Sequence, residues 1–165
     1  MPEKRTVERA RKDKREGKAA STQAGEFVRE EMDHIRAGKH GATSAKQAIA
    51  IGLSKARRAG VKLAPPKKGK ASTRKSAKYA YAVGQGKRKP HRRPKVSRAV
   101  SRVMKHEPRA AASHRALSRQ TKGAASRRSA ANRSAAARKA SRTKGSAQRS
   151  AAARKAARTR ARRAA

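Results

Sequence analysis

The sequence predicts a mainly α-helical protein, with a short helical hairpin at about 22–37 and 45–59, weak flanking helices and long basic disordered segments. Residues 26–60 predict the hairpin, because they place apolar side chains at helical spacing on both sides of a polar turn. The composition predicts the disorder: 49 Lys and Arg stand against 9 Asp and Glu, a net charge of +40, with one Phe, two Tyr and no Trp. So few bulky apolar residues bury too little surface to offset the conformational entropy of a chain this charged.

The first hairpin helix is predicted from Val28, Met32 and Ile35, which recur at i, i+4 and i+7. Gly38 and Gly41 then mark a short polar turn. This helix also carries the one acidic surface in the sequence, and two interpretations of it stay open. The acidic side chains balance nearby Arg and Lys, or they dock the basic tail when nucleic acid is absent.

The second hairpin helix has clear signals at both ends. Ser44 lies three residues before Gln47, the spacing of a capping box that satisfies the first backbone amides of a helix. Ile49 begins a second set of apolar residues at helical spacing. Gly60 is predicted to take the left-handed conformation that ends the helix, with Val61 packing back in a Schellman-type closure.

Residues 1–20 are predicted to form a charged N-terminal arm that contains an isolated helix. Opposite charges four residues apart, such as Lys12 and Glu16, support a helix by about 0.2–0.5 kcal/mol per pair. Val7 is the one sizeable apolar residue between positions 3 and 18. The arm therefore lacks an apolar face that would pack on a core.

Four further segments are predicted after the arm. They are a helical hairpin module at 21–64, a basic linker containing Pro and Gly at 65–95, a weak helical segment at 96–120 and a low-complexity Ala/Arg/Lys/Ser tail at 121–165. Within the linker, Tyr79 and Tyr81 lie among basic residues. Two interpretations of these rings stay open: they stack on unpaired bases, or they cover a small apolar patch.

The tail contains an internal repeat. The octapeptide RSAAARKA occurs at 133–140 and again at 149–156, a period of 16. Ala and Arg favour helix, whereas the clustered positive charge opposes it until phosphates neutralise that charge. In composition the tail resembles the Lys/Ala-rich tails of linker histones and of tailed variants of the bacterial histone-like protein HU.

The charge is distributed unevenly, and this indicates the partner. Residues 1–60 carry 15 basic and 8 acidic side chains, whereas residues 61–165 carry 34 basic and 1 acidic side chain. A surface this positive attracts polyanions. Nucleic acid is the first candidate, with DNA favoured over RNA, and an anionic membrane surface is a distant second.

Several classes of protein are disfavoured by the sequence. The absence of Cys excludes disulfides, thiolate catalysis and cysteine metal sites. No apolar run has the length of a membrane span, so a cytoplasmic, nucleoid-associated location is expected. Glu31 and His34 form an E-x-x-H pattern that di-iron helices use. A di-iron site needs further carboxylates, so we interpret the pair as a chance pattern on a solvated face and predict no enzyme, no metal and no cofactor.

The run GKHGATSAKQAIAIGLSKARRAG, together with EFVREEMDHIRAGK before it, resembles a small, mostly uncharacterised bacterial family of short basic proteins, some described as DNA-binding. The resemblance covers positions 26–60. It implies a helical module and contact with DNA, and it assigns no catalytic residue.

The function predicted from these patterns is sequence-nonspecific DNA binding by a histone-like or nucleoid-associated protein that contacts phosphates electrostatically. Two alternatives stay open: an RNA- or ribosome-associated basic protein, and a protein–protein adaptor that uses the apolar face of the hairpin, or self-associates through it, and is tethered to nucleic acid by its tails. The predicted nucleic-acid contacts are Lys46, Lys55, Arg57, Arg58, Lys67, Lys68, Arg92, Arg93, Arg127, Arg128, Arg133, Arg138, Lys139, Arg149, Arg154, Lys155, Arg158, Arg160, Arg162 and Arg163.

Overall fold

The computed structural model describes residues 2–91, 93–143 and 145–164, and these residues form α-helices and one 3₁₀ helix without any strand. The predicted mainly α-helical class is therefore confirmed. The helices are α1 (Lys4–Arg15), α2 (Ala20–Arg36), α3 (Ala45–Arg58), α4 (Ala71–Gly84), α5 (Pro94–His106), the 3₁₀ helix (Arg109–Ala112), α6 (His114–Ser126), α7 (Ala130–Thr143) and α8 (Ser146–Ala164). None of the described helices is both long and apolar enough to cross a membrane.

The chain divides into two compact units, Met1–Gln120 and Thr121–Ala165, and the boundary falls within α6. The first unit contains the hairpin and the helices that pack on it. The second contains the end of α6, with α7 and α8.

Helices α2 and α3 form the predicted hairpin, and α2 supplies the two largest fully buried apolar side chains, Phe27 and Ile35. Ile35 is fully buried and Met32 is 5% exposed, and both pack with Ala48 of α3. Phe27 is 1% exposed and packs in a second cluster with Ala56. Because most partners are alanines, each cluster buries a modest apolar area.

Both predicted ends of α3 are confirmed. The Ser44 hydroxyl accepts a hydrogen bond from the Gln47 backbone N–H at 3.3 Å, and the Gln47 side chain in turn accepts one from the Thr43 N–H at 2.7 Å. Gly60 has φ +92°, and the Val61 N–H donates to the Ala56 carbonyl at 3.1 Å. This is the Schellman closure, and it turns Val61 into the core.

Helix α1 differs from the isolated helix predicted for the N-terminal arm. Thr6 is fully buried and Ala10 is 5% exposed, and α1 packs on α2. An ion pair of 2.8 Å joins Arg9 Nε to Glu26 Oε2 across the two helices. Thr6 and Ala10 lie four residues apart and so share one face of the helix. Both side chains are small, so this buried face gives no pattern of bulky apolar residues in the sequence.

The segment before α6 also returns to the hairpin. The Gly41 N–H donates to the Met104 carbonyl at 2.7 Å, and the Ala42 N–H donates to the Pro108 carbonyl at 3.2 Å. Arg36 Nε donates to the Ala112 carbonyl at 3.0 Å. Ala112 is fully buried beside Met32 and Ile35, so the core draws on the chain well beyond position 64.

The prediction of long disordered basic segments is not supported. The linker contains α4, and the tail contains α7 and α8. After Pro108 the sequence has no proline, and Gly123 and Gly145 are its two glycines. A stretch rich in Ala, Arg and Lys with so few helix breakers has high intrinsic helix propensity.

Candidate nucleic-acid interface

The basic residues predicted around the hairpin fall into two groups. Lys46 and Arg58 of α3 are exposed, as are Lys67 and Lys68 in the loop before α4. Lys55 and Arg57 are not on this surface. Their cationic groups are occupied within the fold.

Lys55 lies between two buried carboxylates of α2. Its Nζ is 2.5 Å from Glu31 Oε2 and 3.8 Å from Glu30 Oε1, and the two Glu side chains are 0% and 2% exposed. Ionised carboxylates taken out of water need a nearby cation, since an unpaired buried charge costs several kcal/mol. The ammonium group of Lys55 therefore stabilises the fold.

Arg57 holds the chain that follows α3. Its Nε donates to the Leu63 carbonyl at 3.2 Å, and its Nη2 donates to the Ala64 carbonyl at 3.3 Å. The residue is 7% exposed, and this burial lowers the pKa of the guanidinium. It stays charged at neutral pH, because the ordinary pKa of Arg lies so high.

The predicted residues of the second unit lie on the surface of its helices and turns. Exposed side chains are found for Arg127, Arg128, Arg133, Arg138, Lys139, Arg149, Arg154, Lys155, Arg158, Arg160 and Arg162. Arg93, in the first unit, is also exposed, whereas Arg92 and the side chain of Arg163 lie outside the described residues. Residues 121–165 contain 15 Lys and Arg and no acidic residue. This unit thus carries positive charge that no carboxylate of its own offsets.

One cationic pattern recurs on three helices: Arg-Lys, two small residues, then Arg or Lys. We call it the RK motif. It occupies 74–78 in α4, 138–142 in α7 and 154–158 in α8. Its three cations fall at i, i+1 and i+4, within an arc of about 100° on a helix, and all nine side chains are exposed. Each motif thus presents a compact positive face.

In the first unit, cations converge on a groove lined by α3, α4 and the loop before α5. It has a volume of about 1100 Å³, and its basic lining residues are Arg58, Arg74, Lys75, Lys78, Arg88 and Arg93. Of these six residues, only Arg58 and Arg93 are among the nucleic-acid contacts predicted from the sequence. Arg74, Lys75 and Lys78 belong to the RK motif of α4, which is visible in the sequence.

Tyr79 lies in the same groove, but its contacts are within the protein. The Arg88 guanidinium carbon is 5.1 Å from the centroid of the Tyr79 ring, a cation–π distance. The Tyr79 hydroxyl accepts a hydrogen bond from the His91 N–H at 2.7 Å. Stacking of this ring on a base therefore stays a prediction, and the stacked base would have to displace Arg88 or use the opposite ring face.

The carboxylates of α2, and Glu3 of the preceding arm, are paired with nearby cations in this unit. Glu26 contacts Arg9, and Asp33 lies 3.6 Å from Arg36. Glu3 Oε1 lies 2.8 Å from His34 Nε2 and 3.2 Å from Lys39 Nζ. These contacts agree with the first interpretation of the acidic surface, in which it balances its basic neighbours.

The hydrogen bonds from His34 and Lys39 hold the pKa of the Glu3 carboxyl below its usual 4.5. A depressed pKa means that Glu3 stabilises the fold above pH 4.5, and that this contribution is lost as the pH falls through the lower folded value. We expect an NMR titration of the Glu3 carboxyl to give a midpoint below 4.5. The His34→Gln variant should raise that midpoint; an unchanged midpoint would show that the contact does not persist in solution.

The interpretation of Glu31 and His34 as a pair on a solvated face is wrong. Glu31 is fully buried, because α2 turns this face towards Lys55 of α3. The loop after α2 also brings His40 to Glu31, with 3.3 Å between His40 Nε2 and Glu31 Oε1. The structure thus assembles one carboxylate and two imidazoles that the sequence separates.

Together these features define a small, strongly basic, all-helical protein. Residues 3–69, which contain α1, α2 and α3, match a family of unknown function, DUF6496. The resemblance seen in the sequence at 26–60 falls within this match. No curated protein and no solved structure matches the chain. The matched residues contain Lys55 and the Glu31–His34–His40 group, whereas all three RK motifs follow them.

Proposed function

We propose that the protein binds DNA through electrostatic contacts with the phosphate backbone and without sequence preference. One observation carries the proposal: the RK motif recurs on α4, α7 and α8 with all its cations exposed. Repeated cationic faces on helices suit a polyanion whose charges repeat along its length. Small-molecule anions offer no such repeat.

The dimensions of α8 agree with this function. Its 19 residues extend for about 28 Å at about 1.5 Å per residue. Duplex DNA carries one phosphate per about 1.7 Å of axis, so this helix spans about 16 phosphates on both strands. A helix of this length thus spans more phosphates than it has cations, and the three cations of its RK motif share one face that can meet them.

The cation types favour binding without sequence readout. Lys and Arg on an Ala-rich helix contact phosphates, and phosphate contacts position a protein without reading bases. Asn and Gln, which recognise adenine, are rare on α7 and α8. A histone-like, nucleoid-associated role in the cytoplasm, without enzymatic activity, follows from this mode of binding and is part of the proposal.

A salt titration tests the proposal. The full-length protein is titrated with duplexes of equal length and unrelated sequence at several salt concentrations. We expect similar affinities for all duplexes and a log–log slope near −9 if about ten phosphates are neutralised. A slope shallower than about −3, or a strong preference for one sequence, would contradict it.

The alternative of an RNA-associated protein uses the same cations, so competition between duplex DNA and structured RNA decides between them. The adaptor alternative receives less support from the structure. Ile49 and Leu53, on the apolar face that would dock a partner, are partly buried and pack against the two core clusters of the first unit. Ala111 and Ala112 cover the Ile49 cluster, and Ala10 covers the Leu53 cluster.

A further inference from the structure

Glu31, His34 and His40 form a group in the first unit that the proposed function does not use. One ligand atom from each of the three residues lies within 4.8 Å of the others. Glu31 is fully buried, and neither of its carboxylate oxygens accepts a hydrogen bond of good geometry from the described part of the chain. A buried carboxylate without such bonds is costly unless a cation compensates it. Lys55 compensates Glu31 on the Oε2 side, whereas Oε1 faces His40.

The hydrogen bonds of His40 determine which of its nitrogens faces Glu31. Its Nδ1 lies 3.0 Å from the Gly41 carbonyl oxygen. A carbonyl only accepts, so Nδ1 carries the proton in this bond. In the neutral ring Nε2 then has a lone pair, which faces Glu31 Oε1 at 3.3 Å. Two acceptors face one another across this distance, and either a proton, on His40 or on Glu31, or a metal ion has to lie between them.

His34 also bonds an oxygen acceptor through one of its ring nitrogens. Its Nε2 lies 2.8 Å from Glu3 Oε1, and Glu3 is held in place because its backbone N–H lies 3.3 Å from both Glu30 oxygens. An ionised carboxylate accepts, so Nε2 carries the proton and Nδ1 keeps a lone pair. Histidines that bind metals commonly donate their other N–H to a carboxylate or a carbonyl in this manner.

We propose that Glu31, His34 and His40 bind a divalent transition-metal ion, with Zn²⁺ as the best fit. One carboxylate and two imidazoles are ligands that Zn²⁺ accepts, and they leave a fourth position for water. Two ligands bound to one tetrahedral Zn²⁺ at about 2.0–2.1 Å lie about 3.3 Å apart. The separation of Glu31 Oε1 and His40 Nε2 has this value.

Lys55 competes for the same carboxylate and sets the charge balance of the site. Its Nζ contacts Glu31 Oε2 at 2.5 Å, which leaves Oε1 for the metal. Glu30 Oε1, 3.8 Å away, offers the ammonium group a second partner. With both imidazoles neutral, the carboxylates of Glu3, Glu30 and Glu31 outnumber the ammonium groups of Lys39 and Lys55 by one. The group therefore retains negative charge for a cation.

Metal titration of the full-length protein, freed of nucleic acid and treated with a chelator, tests the proposal. Zn²⁺ is added in competition with a coloured chelator, and Co²⁺ is used separately because its visible spectrum reports imidazole coordination. We expect one tight site per chain. The Glu3→Gln variant, which keeps all three ligands, should bind Zn²⁺ about 10–100-fold more weakly. His34→Gln and His40→Gln should weaken binding more than Glu3→Gln does.

Two exposed histidines outside the group provide matched controls. His106→Gln and His114→Gln should leave the affinity and the Co²⁺ spectrum unchanged. Circular dichroism of the metal-free variants establishes that each is folded, and a rise in Tm on adding Zn²⁺ should occur in the wild type and the control variants. Absence of a one-to-one site, or equal effects of the His106 and His40 substitutions, would overturn the proposal. Neither result bears on DNA binding, which depends on other residues.

Discussion

Replacing the six cations of the α7 and α8 RK motifs with glutamine is expected to weaken DNA binding and to flatten its salt dependence. The six residues are Arg138, Lys139, Arg142, Arg154, Lys155 and Arg158. Each phosphate contact contributes about −0.9 to the log–log slope, so loss of six should make the slope shallower by about 5. When the salt concentration rises from about 50 to 200 mM, the glutamine variant should lose about 10³-fold less affinity than the wild type does.

The matched control exchanges Arg and Lys at the same six positions, which preserves the charge. Backbone contacts that depend on charge should survive this exchange, and the slope should stay close to that of the wild type. Fluorescence anisotropy with labelled duplexes measures both variants. If the glutamine variant keeps the wild-type slope, the second unit does not contact phosphates and the proposed interface is wrong. Loss of binding in the exchanged variant would point to specific guanidinium contacts.

The second large effect is expected at Gly52, where α3 lies close against the backbone of α2. A Cβ atom at this position would lie 2.7 Å from Val28 Cα and 3.0 Å from the Val28 backbone nitrogen. Backbone atoms cannot move aside as a flexible side chain does, so Gly52→Ala has to separate the helices. Overpacking of this kind costs about 1–3 kcal/mol of the free energy of unfolding.

Gly25 supplies the control for this substitution within the same hairpin. It lies inside α2, and a Cβ there would have no atom within 4 Å. Gly25→Ala should therefore stabilise the fold by about 0.4–1 kcal/mol through the unfolded chain. Chemical denaturation compares the two variants, and the same gain in helix propensity applies to both. Their difference should be about 1–3 kcal/mol; equal stabilities would show that α2 and α3 do not cross this closely.

The hairpin was predictable because its signals are local. The Ser44 side chain accepts a hydrogen bond from the Gln47 N–H within the first turn of α3. At the other end, the Gly60 N–H donates to a carbonyl of the last turn. The packing of α1 was not predictable in this way. Its buried residues are Thr6 and Ala10, and small side chains give no periodic apolar signal in the sequence.

The distant part of the core had even less signal. Ala111 and Ala112 occur in the segment predicted to be weakly helical, outside the hairpin module, yet they complete the cluster around Ile35. Hydrogen bonds from Gly41 and Arg36 to the backbone of this region place them there. Contacts between residues some seventy positions apart depend on the folded geometry, and no local pattern encodes them.

The exposed cations of the candidate interface were predictable in the tail, where the sequence has no acidic residue to pair with them. The cations of α7 and α8 whose side chains the structure describes are exposed, as composition suggests. Lys55 and Arg57 look equivalent to Arg58 in the sequence, but α3 turns them inwards, towards buried carboxylates and backbone carbonyls. Which face of a helix is buried depends on the elements packed against it. The sequence of α3 alone does not show that Lys55 and Arg57 lie on that face.

The composition has two opposing effects on helix formation, and the predicted disorder rests on the one that does not prevail in this structure. Self-repulsion of the cations disfavours helix, whereas the intrinsic propensity of Ala, Arg and Lys favours it. Propensity prevails along α7 and α8, both of which form without buried residues in their described parts. Net charge predicts how a segment interacts with polyanions more reliably than it predicts whether the segment is helical.

Crosslinking in cells that express the full-length protein, followed by sequencing of the bound nucleic acid, tests the central proposal most directly. We expect DNA to dominate the recovered material and its reads to be spread across the genome without a shared motif, because exposed cations contact phosphates and not bases. Recovery of predominantly ribosomal RNA would contradict it. So would DNA reads confined to a few sites with a common sequence.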